Sequence, residues 1–163
     1  NVLGSSGSVI PVFLQQIKAK QKITITDPEM TRLSTTMEAA LDFILKATEI
    51  GKGSEIFVPK LRSYSITDVK NVLQELYGNT GEEIIGIRHG EKLHEILINQ
   101  DEIKYSWELE DLYMISNPIF EDDIIKSKYP KIKHLKDLGE YSSDKAEKIS
   151  KEELKTLIEK LEL

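Results

Sequence analysis

The sequence predicts an α/β fold with some parallel strand pairing. Three observations carry that prediction. Short β-branched runs alternate with segments of helical apolar spacing from residue 1 to about 98. The strand runs stop at Pro or Gly signals, and two Ser/Thr-x-x-Glu boxes mark helix starts.

In chain order, Asn1-Val-Leu-Gly-Ser-Ser-Gly-Ser-Val-Ile10 reads as a strand end running into a Gly/Ser turn, with Pro11 in the first turn of a helix that extends to about Lys20. Ile23-Thr-Ile-Thr26 is a short strand stopped by Asp27-Pro28. After Met30-Thr-Arg32, the box formed by Thr35 and Glu38 opens a helix with Met37, Ala40, Leu41, Ile44, Leu45 and Thr48 at helical spacing, ended by Gly51-Lys-Gly53. Glu55-Ile-Phe-Val58 reads as a buried strand without an evident sheet neighbour. Ser65 to Tyr77 is a helix capped by Ser65 or Thr67 and stopped at Gly78. Glu83 to Arg88 is the next strand, and Gly90-Glu91 is expected to start a helix with Leu93, Ile96 and Leu97 on one face. Residues 101 to 138 lack a sustained period, so short strands and loops are expected around Tyr105 to Ile115. Ser150-Lys-Glu-Glu153 is a second box, before a terminal helix at about 151–161 carrying Leu154, Leu157, Ile158 and Leu161.

Composition narrows the function. The 163 residues are 39% apolar and 31% charged, which suits one compact soluble domain or two very small ones. A net charge of −6 has the wrong sign for a protein whose main partner is nucleic acid or an anionic membrane. The absence of cysteine removes disulfides, thiolate metal sites and cysteine nucleophiles, and is compatible with a cytoplasmic setting. No apolar run reaches the roughly 18 to 20 residues of a membrane span.

Arginine is rare: of 22 basic residues only Arg32, Arg62 and Arg88 are arginines. Arg32 and Arg88 are expected directly after strands, at turns into helices, where open α/β sheets bind ligands. The guanidinium fork suits a diphosphate, because it donates two parallel hydrogen bonds to phosphate oxygens. The plainer reading makes both surface partners of the abundant acids. In Arg88-His-Gly-Glu91 the glycine permits close backbone approach to a ligand, and Glu91 either accepts from a ribose diol or caps the expected helix. His89 and His94 lie five residues apart, off the four-residue spacing of a helical metal pair, so no metal site is expected. His94 is expected to order this loop or simply to pack.

Four blocks occur in one order: Asn1-Val-Leu-Gly-Ser-Ser-Gly-Ser-Val-Ile-Pro11, Ile23-Thr-Ile-Thr-Asp-Pro-Glu-Met-Thr-Arg32, Glu55-Ile-Phe-Val-Pro-Lys60 and Ile87-Arg-His-Gly-Glu-Lys-Leu-His-Glu95. Together they resemble the UDP-N-acetylglucosamine 4,6-dehydratase, or polysaccharide-biosynthesis, branch of the extended short-chain dehydrogenase/reductases. The likeness is best over residues 1–98 and looser over 99–163, a C-terminal extension. It implies the C-terminal, substrate-binding portion of a Rossmann-type fold, most of whose parallel nucleotide-binding sheet lies outside this chain. The opening at Asn1, in mid-motif, suggests a piece of a longer enzyme.

By this resemblance Asn1 contacts the nucleotide-sugar, Arg32 binds diphosphate, and Arg88 and Glu91 hold phosphate and ribose. No catalytic residue is assigned. Two departures stand out: Ser6 replaces the family's usual arginine, and Leu33-Ser34-Thr35 replaces two bulky apolar residues and Met. The implied parent is an NAD- or NADP-dependent enzyme whose cofactor is bound mainly by the missing N-terminal half, with no cofactor expected for this chain alone. It would oxidise the sugar at C4, eliminate water across C5 and C6, and return hydride to C6. Its partners would be the UDP-sugar, the missing half and, as the family suggests, further copies of itself. A UDP-sugar 4-epimerase is the enzymatic alternative, and a non-catalytic nucleotide-sugar binding or assembly module the other. Gly4-Ser-Ser-Gly7 has only half of the dinucleotide Gly-x-x-Gly-x-x-Gly spacing. Tyr129-Pro-Lys-Ile-Lys133 and Tyr141-Ser-Ser-Asp-Lys145 match the catalytic Tyr-x-x-x-Lys spacing by chance, and Pro130 sits badly in the helix such a pair needs.

Overall fold

The computed structural model describes residues 1–161. The chain is mixed α/β and divides into two units interleaved along the sequence. The first comprises Asn1–Met37, Leu61–Glu95 and Ser143–Leu163; the second comprises Glu38–Lys60 and Ile96–Ser142.

In the first unit, α1 (Val9–Lys18) turns Ile10, Phe13, Leu14 and Ile17 inward, the stripe that helical spacing dictates. β1 (Ile23–Ile25) pairs in parallel with β5 (Glu82–Ile84), with Ile23 opposite Glu82. β2 (Thr31–Ser34) pairs antiparallel with β4 (Arg62–Ser65), which places Arg32 opposite Tyr64. α3 (Ile66–Tyr77) is capped by Ser65, whose hydroxyl accepts from Asp68 N at 3.0 Å, and ends at Gly78 as the sequence indicates. α5 (Lys151–Glu159) is capped by Ser150, which accepts from Glu153 N at 3.2 Å. The core joins Ile10, Phe13 and Ile17 to Ile23 and Ile25, to Val69, Val72 and Leu73 of α3, and to Leu154 and Ile158 of α5. Several of these are wholly buried, so the three helices and β1 enclose one hydrophobic centre.

The second unit is built on an antiparallel sheet in the order β3-β8-β7-β9, formed by Ile56–Pro59, Leu112–Ile115, Ser106–Glu108 and Lys133–His134. Trp107 and Met114 pack with Ile125 of α4 (Asp122–Lys128) and with Tyr129 to form its core. The strand near Glu55 therefore has a sheet neighbour, β8, contrary to the sequence expectation. It is an edge strand with only Val58 buried, a position that tolerates Pro59, which has no N–H to donate. A further antiparallel pair joins β6 (Ile96–Ile98) to β10 (Tyr141–Ser142). Helix α2 (Met37–Ile50) forms where its pattern predicts, but none of its residues is buried, and Met37, Leu41, Ile44 and Leu45 are each more than half exposed.

The helix expected from Gly90 does not form. Gly90 takes φ +83°, and the backbone beyond it bonds to distant segments: Leu93 O accepts from Thr31 N at 3.1 Å, and Glu95 O accepts from Ser143 N at 2.8 Å. Ile96 and Ile98 then enter a strand. An i to i+4 ladder cannot compete once those carbonyls have partners elsewhere.

Candidate functional site

Within the first unit, a cavity of about 300 Å³ is lined by Asn1, Arg32, Arg88 and Glu91. These four come from three segments far apart in sequence. The turn at the chain start supplies Asn1, β2 supplies Arg32, and the loop after β5 supplies Arg88 and Glu91. Tyr64, Met30 and Glu95 line the same space, as do Gly4, Ser5, Gly7 and Ser8 of the turn before α1.

The two arginines are not at strand-to-helix turns as expected. Arg32 lies within β2 itself, and Arg88 lies in an exposed loop that leads into a turn. Strand pairing with β4 explains the first, since Arg32 alternates with the inward Thr31 and Leu33 and so faces the cavity. Its side chain is 17% exposed. Nη1 donates to Thr31 O at 2.8 Å and to Leu93 O at 3.2 Å, and Nη2 donates to Met30 Sδ. A guanidinium carries five N–H donors, so two remain, on Nε and Nη2. Glu91 Oε1 stands 3.6 Å from Nη2 and Glu95 Oε1 stands 4.0 Å from Nε. The guanidinium is thus clamped by neutral acceptors and flanked by carboxylates just outside direct hydrogen-bond distance.

Glu91 does not cap a helix. Its Oε2 accepts from Arg88 N at 3.3 Å and its own N–H donates to Arg88 O at 3.0 Å, which closes the Arg-His-Gly-Glu turn. Two arginines and two glutamates therefore share one cavity. A guanidinium fork is chemically suited to phosphate oxygens, and an acceptor-only carboxylate to hydroxyl donors.

Asn1 Nδ2 donates to Leu33 O at 3.2 Å and to Glu95 Oε1 at 2.6 Å. Tyr64 accepts from Ser34 Oγ at 3.2 Å, and burial pushes its phenol pKa up, so it is a neutral group at the cavity wall. Of the two departures from the family pattern, Ser34 is buried and engaged with Tyr64, which makes it a packing change, whereas Ser6 is exposed. His94 Nδ1 lies 2.8 Å from Thr31 Oγ1, so it ties the Arg-His-Gly-Glu loop to β2. Sequence reasoning missed Tyr64, which carries no motif. It also passed over Glu95, although that residue closes the fourth block quoted above.

Neither Tyr-x-x-x-Lys match sits on one helix. Tyr129 follows the last residue of α4 and Lys133 is on β9; Tyr141 is on β10 and Lys145 is in a turn. Burial, together with Glu55, pushes the Tyr129 phenol up to about 12, the opposite of what a proton-transfer tyrosine needs. The Gly4–Gly7 turn likewise does not fit a dinucleotide cradle. A Cβ on Gly4 would meet Leu161 Cδ1 at 2.9 Å, so the open side of that glycine is occupied by the chain's own core rather than free for a pyrophosphate.

The family model described as "Polysaccharide biosynthesis protein" matches residues 1–117. The UDP-glucose 4-epimerase of Rickettsia felis is 37% identical over 161 residues, covering 97% of this chain and 47% of that protein. The UDP-N-acetylglucosamine 4,6-dehydratase (inverting) of Campylobacter jejuni is 41% identical over 150 residues, covering 88% and 44%. A solved structure described as Pen from Bacillus thuringiensis superposes with a TM-score of 0.82 at 40% identity, covering 97% of this chain and 47% of that one. The chain spans about half the length of the relatives it matches, in line with the expected α/β portion of a longer Rossmann-type fold. On its matched sequence, its fold and the shared length of both, the chain belongs to the polysaccharide biosynthesis protein family.

Proposed function

We propose that this chain is the nucleotide-sugar-binding part of a UDP-N-acetylhexosamine 4,6-dehydratase and that its cavity holds the UDP moiety. The observation that carries the proposal is the convergence of Asn1, Arg32, Arg88 and Glu91 on one cavity. Arg32 offers its two remaining N–H donors to the diphosphate, and Arg88, at the exposed rim, adds a second guanidinium. Glu91 accepts from the ribose diol. Their contribution is positioning: holding UDP in one orientation places the sugar for chemistry elsewhere. The proton-transfer and nicotinamide-binding groups belong to the longer cytoplasmic protein.

The names of the Rickettsia relatives favour a second reading, a UDP-sugar 4-epimerase, which the same anchors would serve equally well. Incubating the complete enzyme with UDP-N-acetylglucosamine separates the two. A 4-keto-6-deoxy product supports the dehydratase, and a C4 epimer without it supports the epimerase. Calorimetric titration of the present chain with UDP tests the shared premise, with weak binding expected and absence of binding contradicting it.

A further inference from the structure

We propose that Glu95 is a positioning residue of this cavity: one carboxylate sets the orientation of the Asn1 carboxamide and holds it beside Arg32. The proposal rests on the nucleotide-sugar reading of the site and deepens it.

Glu95 Oε1 accepts from Asn1 Nδ2 at 2.6 Å, and Oε2 accepts from the Leu33 backbone N–H at 2.8 Å. The first bond reaches across 94 residues of sequence and the second across 62. The carboxylate thus fastens the start of the chain to the middle of β2, one residue beyond Arg32, with Oε1 also 4.0 Å from the guanidinium Nε. Its own backbone is fixed in turn. Glu95 N donates to Ser143 Oγ at 2.9 Å, Glu95 O accepts from Ser143 N at 2.8 Å, and the Ser143 hydroxyl, fully buried, lies 2.6 Å from Thr31 Oγ1. Ser143 lies outside the part of the chain that the family model matches, so the tail buttresses the cavity from behind.

An ionised carboxylate only accepts, and so does the Leu33 carbonyl. Both face Asn1 Nδ2, so the amide cannot flip and both of its hydrogens are engaged. Oδ1 is left, and Asn1 therefore presents an acceptor to a ligand hydroxyl or amide N–H. A glutamine at position 95 has nearly the same shape but a single acceptor oxygen for two donors, Asn1 Nδ2–H and Leu33 N–H. One of them loses its partner, and the amide of Asn1 is free to turn.

The test is a titration of the full chain with UDP-N-acetylglucosamine, in the unsubstituted form and as Glu95→Gln, Asn1→Ala and the double variant. Glu95→Gln is expected to weaken binding about tenfold, the scale of one charge-assisted hydrogen bond. Because Glu95 acts through Asn1, adding Glu95→Gln to Asn1→Ala should cost no more than about a further twofold. Unchanged affinity in Glu95→Gln, or losses that add in full, would overturn the proposal. Proton–nitrogen NMR of the ligand-free chain supplies an independent readout. The two side-chain amide protons of Asn1 should be shifted away from free-amide values and exchange slowly with water, and in Glu95→Gln they should move towards free-amide shifts and exchange faster with water; an unchanged pair contradicts the positioning role. If the unsubstituted chain does not bind the sugar nucleotide, the nucleotide-sugar reading fails, and the amide signals still decide the role of Glu95. Should Glu95→Gln unfold, Glu95→Asp, which draws the carboxylate back by one methylene, gives the same two readouts.

Discussion

Two cavities, one in each unit, make an instructive pair. The larger, about 580 Å³, belongs to the second unit and is lined by Lys46, Lys131 and Lys133 together with Glu108, Glu110 and Asp111. The smaller, about 300 Å³, holds Arg32, Arg88, Glu91 and Glu95. Both mix charges of either sign, yet they use them differently. Lys46 donates directly to Asp111, and Lys60, outside the lining, donates to Glu108 at 2.6 Å, so two of the three carboxylates of the larger cavity are paired directly with lysines. In the smaller cavity Arg32 is held by backbone carbonyls and a thioether, and the nearest carboxylates stand at 3.6 and 4.0 Å. On the proposed reading, the binding site is marked not by volume but by a cation fixed by neutral partners, with donors left over.

The largest effect expected on the second unit is structural. Trp107 is buried at 1% exposure and donates from Nε1 to Ser116 Oγ at 3.2 Å. Trp107→Ala should lower stability by about 3–5 kcal/mol, measured by denaturant titration; a loss under about 1 kcal/mol would mean that this core is not packed as described. Next, Arg32→Ala should weaken UDP binding by about 1.5–3 kcal/mol in calorimetry, with Arg32→Lys failing to restore it, because a single ammonium cannot reproduce the clamped fork. Lys46→Ala should leave the affinity unchanged. Equal losses from Lys46→Ala would erase the distinction between the two cavities.

The smallest effects are pH-dependent, one in each unit. In the first, Lys151 and Lys155 of α5 hold the Glu75 carboxyl down to about 2 from an ordinary 4.5. A depressed folded-state pKa stabilises above the unfolded value, and that contribution is lost as pH falls from about 4.5 towards about 2. Glu75→Gln should flatten the acid limb of thermal melts, more so at low salt. In the second, the Tyr129 phenol is pushed up from 10 to about 12. A raised folded-state pKa stabilises below the unfolded value, so stability should fall as pH rises from about 10 through about 12. Ultraviolet titration of the phenolate in the folded chain checks the position of that step, and ionisation of Tyr129 near 10 would contradict it.

The sequence showed clearly what local chemistry decides. Ser65 and Ser150 are caps because a hydroxyl next to a helix start meets an orphan N–H nearby, and α1, α3 and α5 bury the stripes their spacing dictates. It misled where a distant partner decides. The segment after Gly90 has helical spacing, but Thr31 and Ser143 claim its backbone groups, and β2 and β4 exist because they pair with each other. The cavity residues followed the same division. Arg32, Arg88, Glu91 and Asn1 were legible as blocks of recognisable residues. Glu95 matters through contacts with residues 1 and 33 that no spacing rule reports, and Tyr64 through one with Ser34.

The most direct measurement of the central claim is a residue-resolved NMR titration of the chain with UDP-N-acetylglucosamine. Saturable shifts of the Arg32 and Arg88 side-chain N–H signals and of the Asn1, Glu91 and Glu95 amides, with Lys46, Asp111 and Lys133 unmoved, are what the account predicts. Shifts confined to the larger cavity, or none at either, would contradict it.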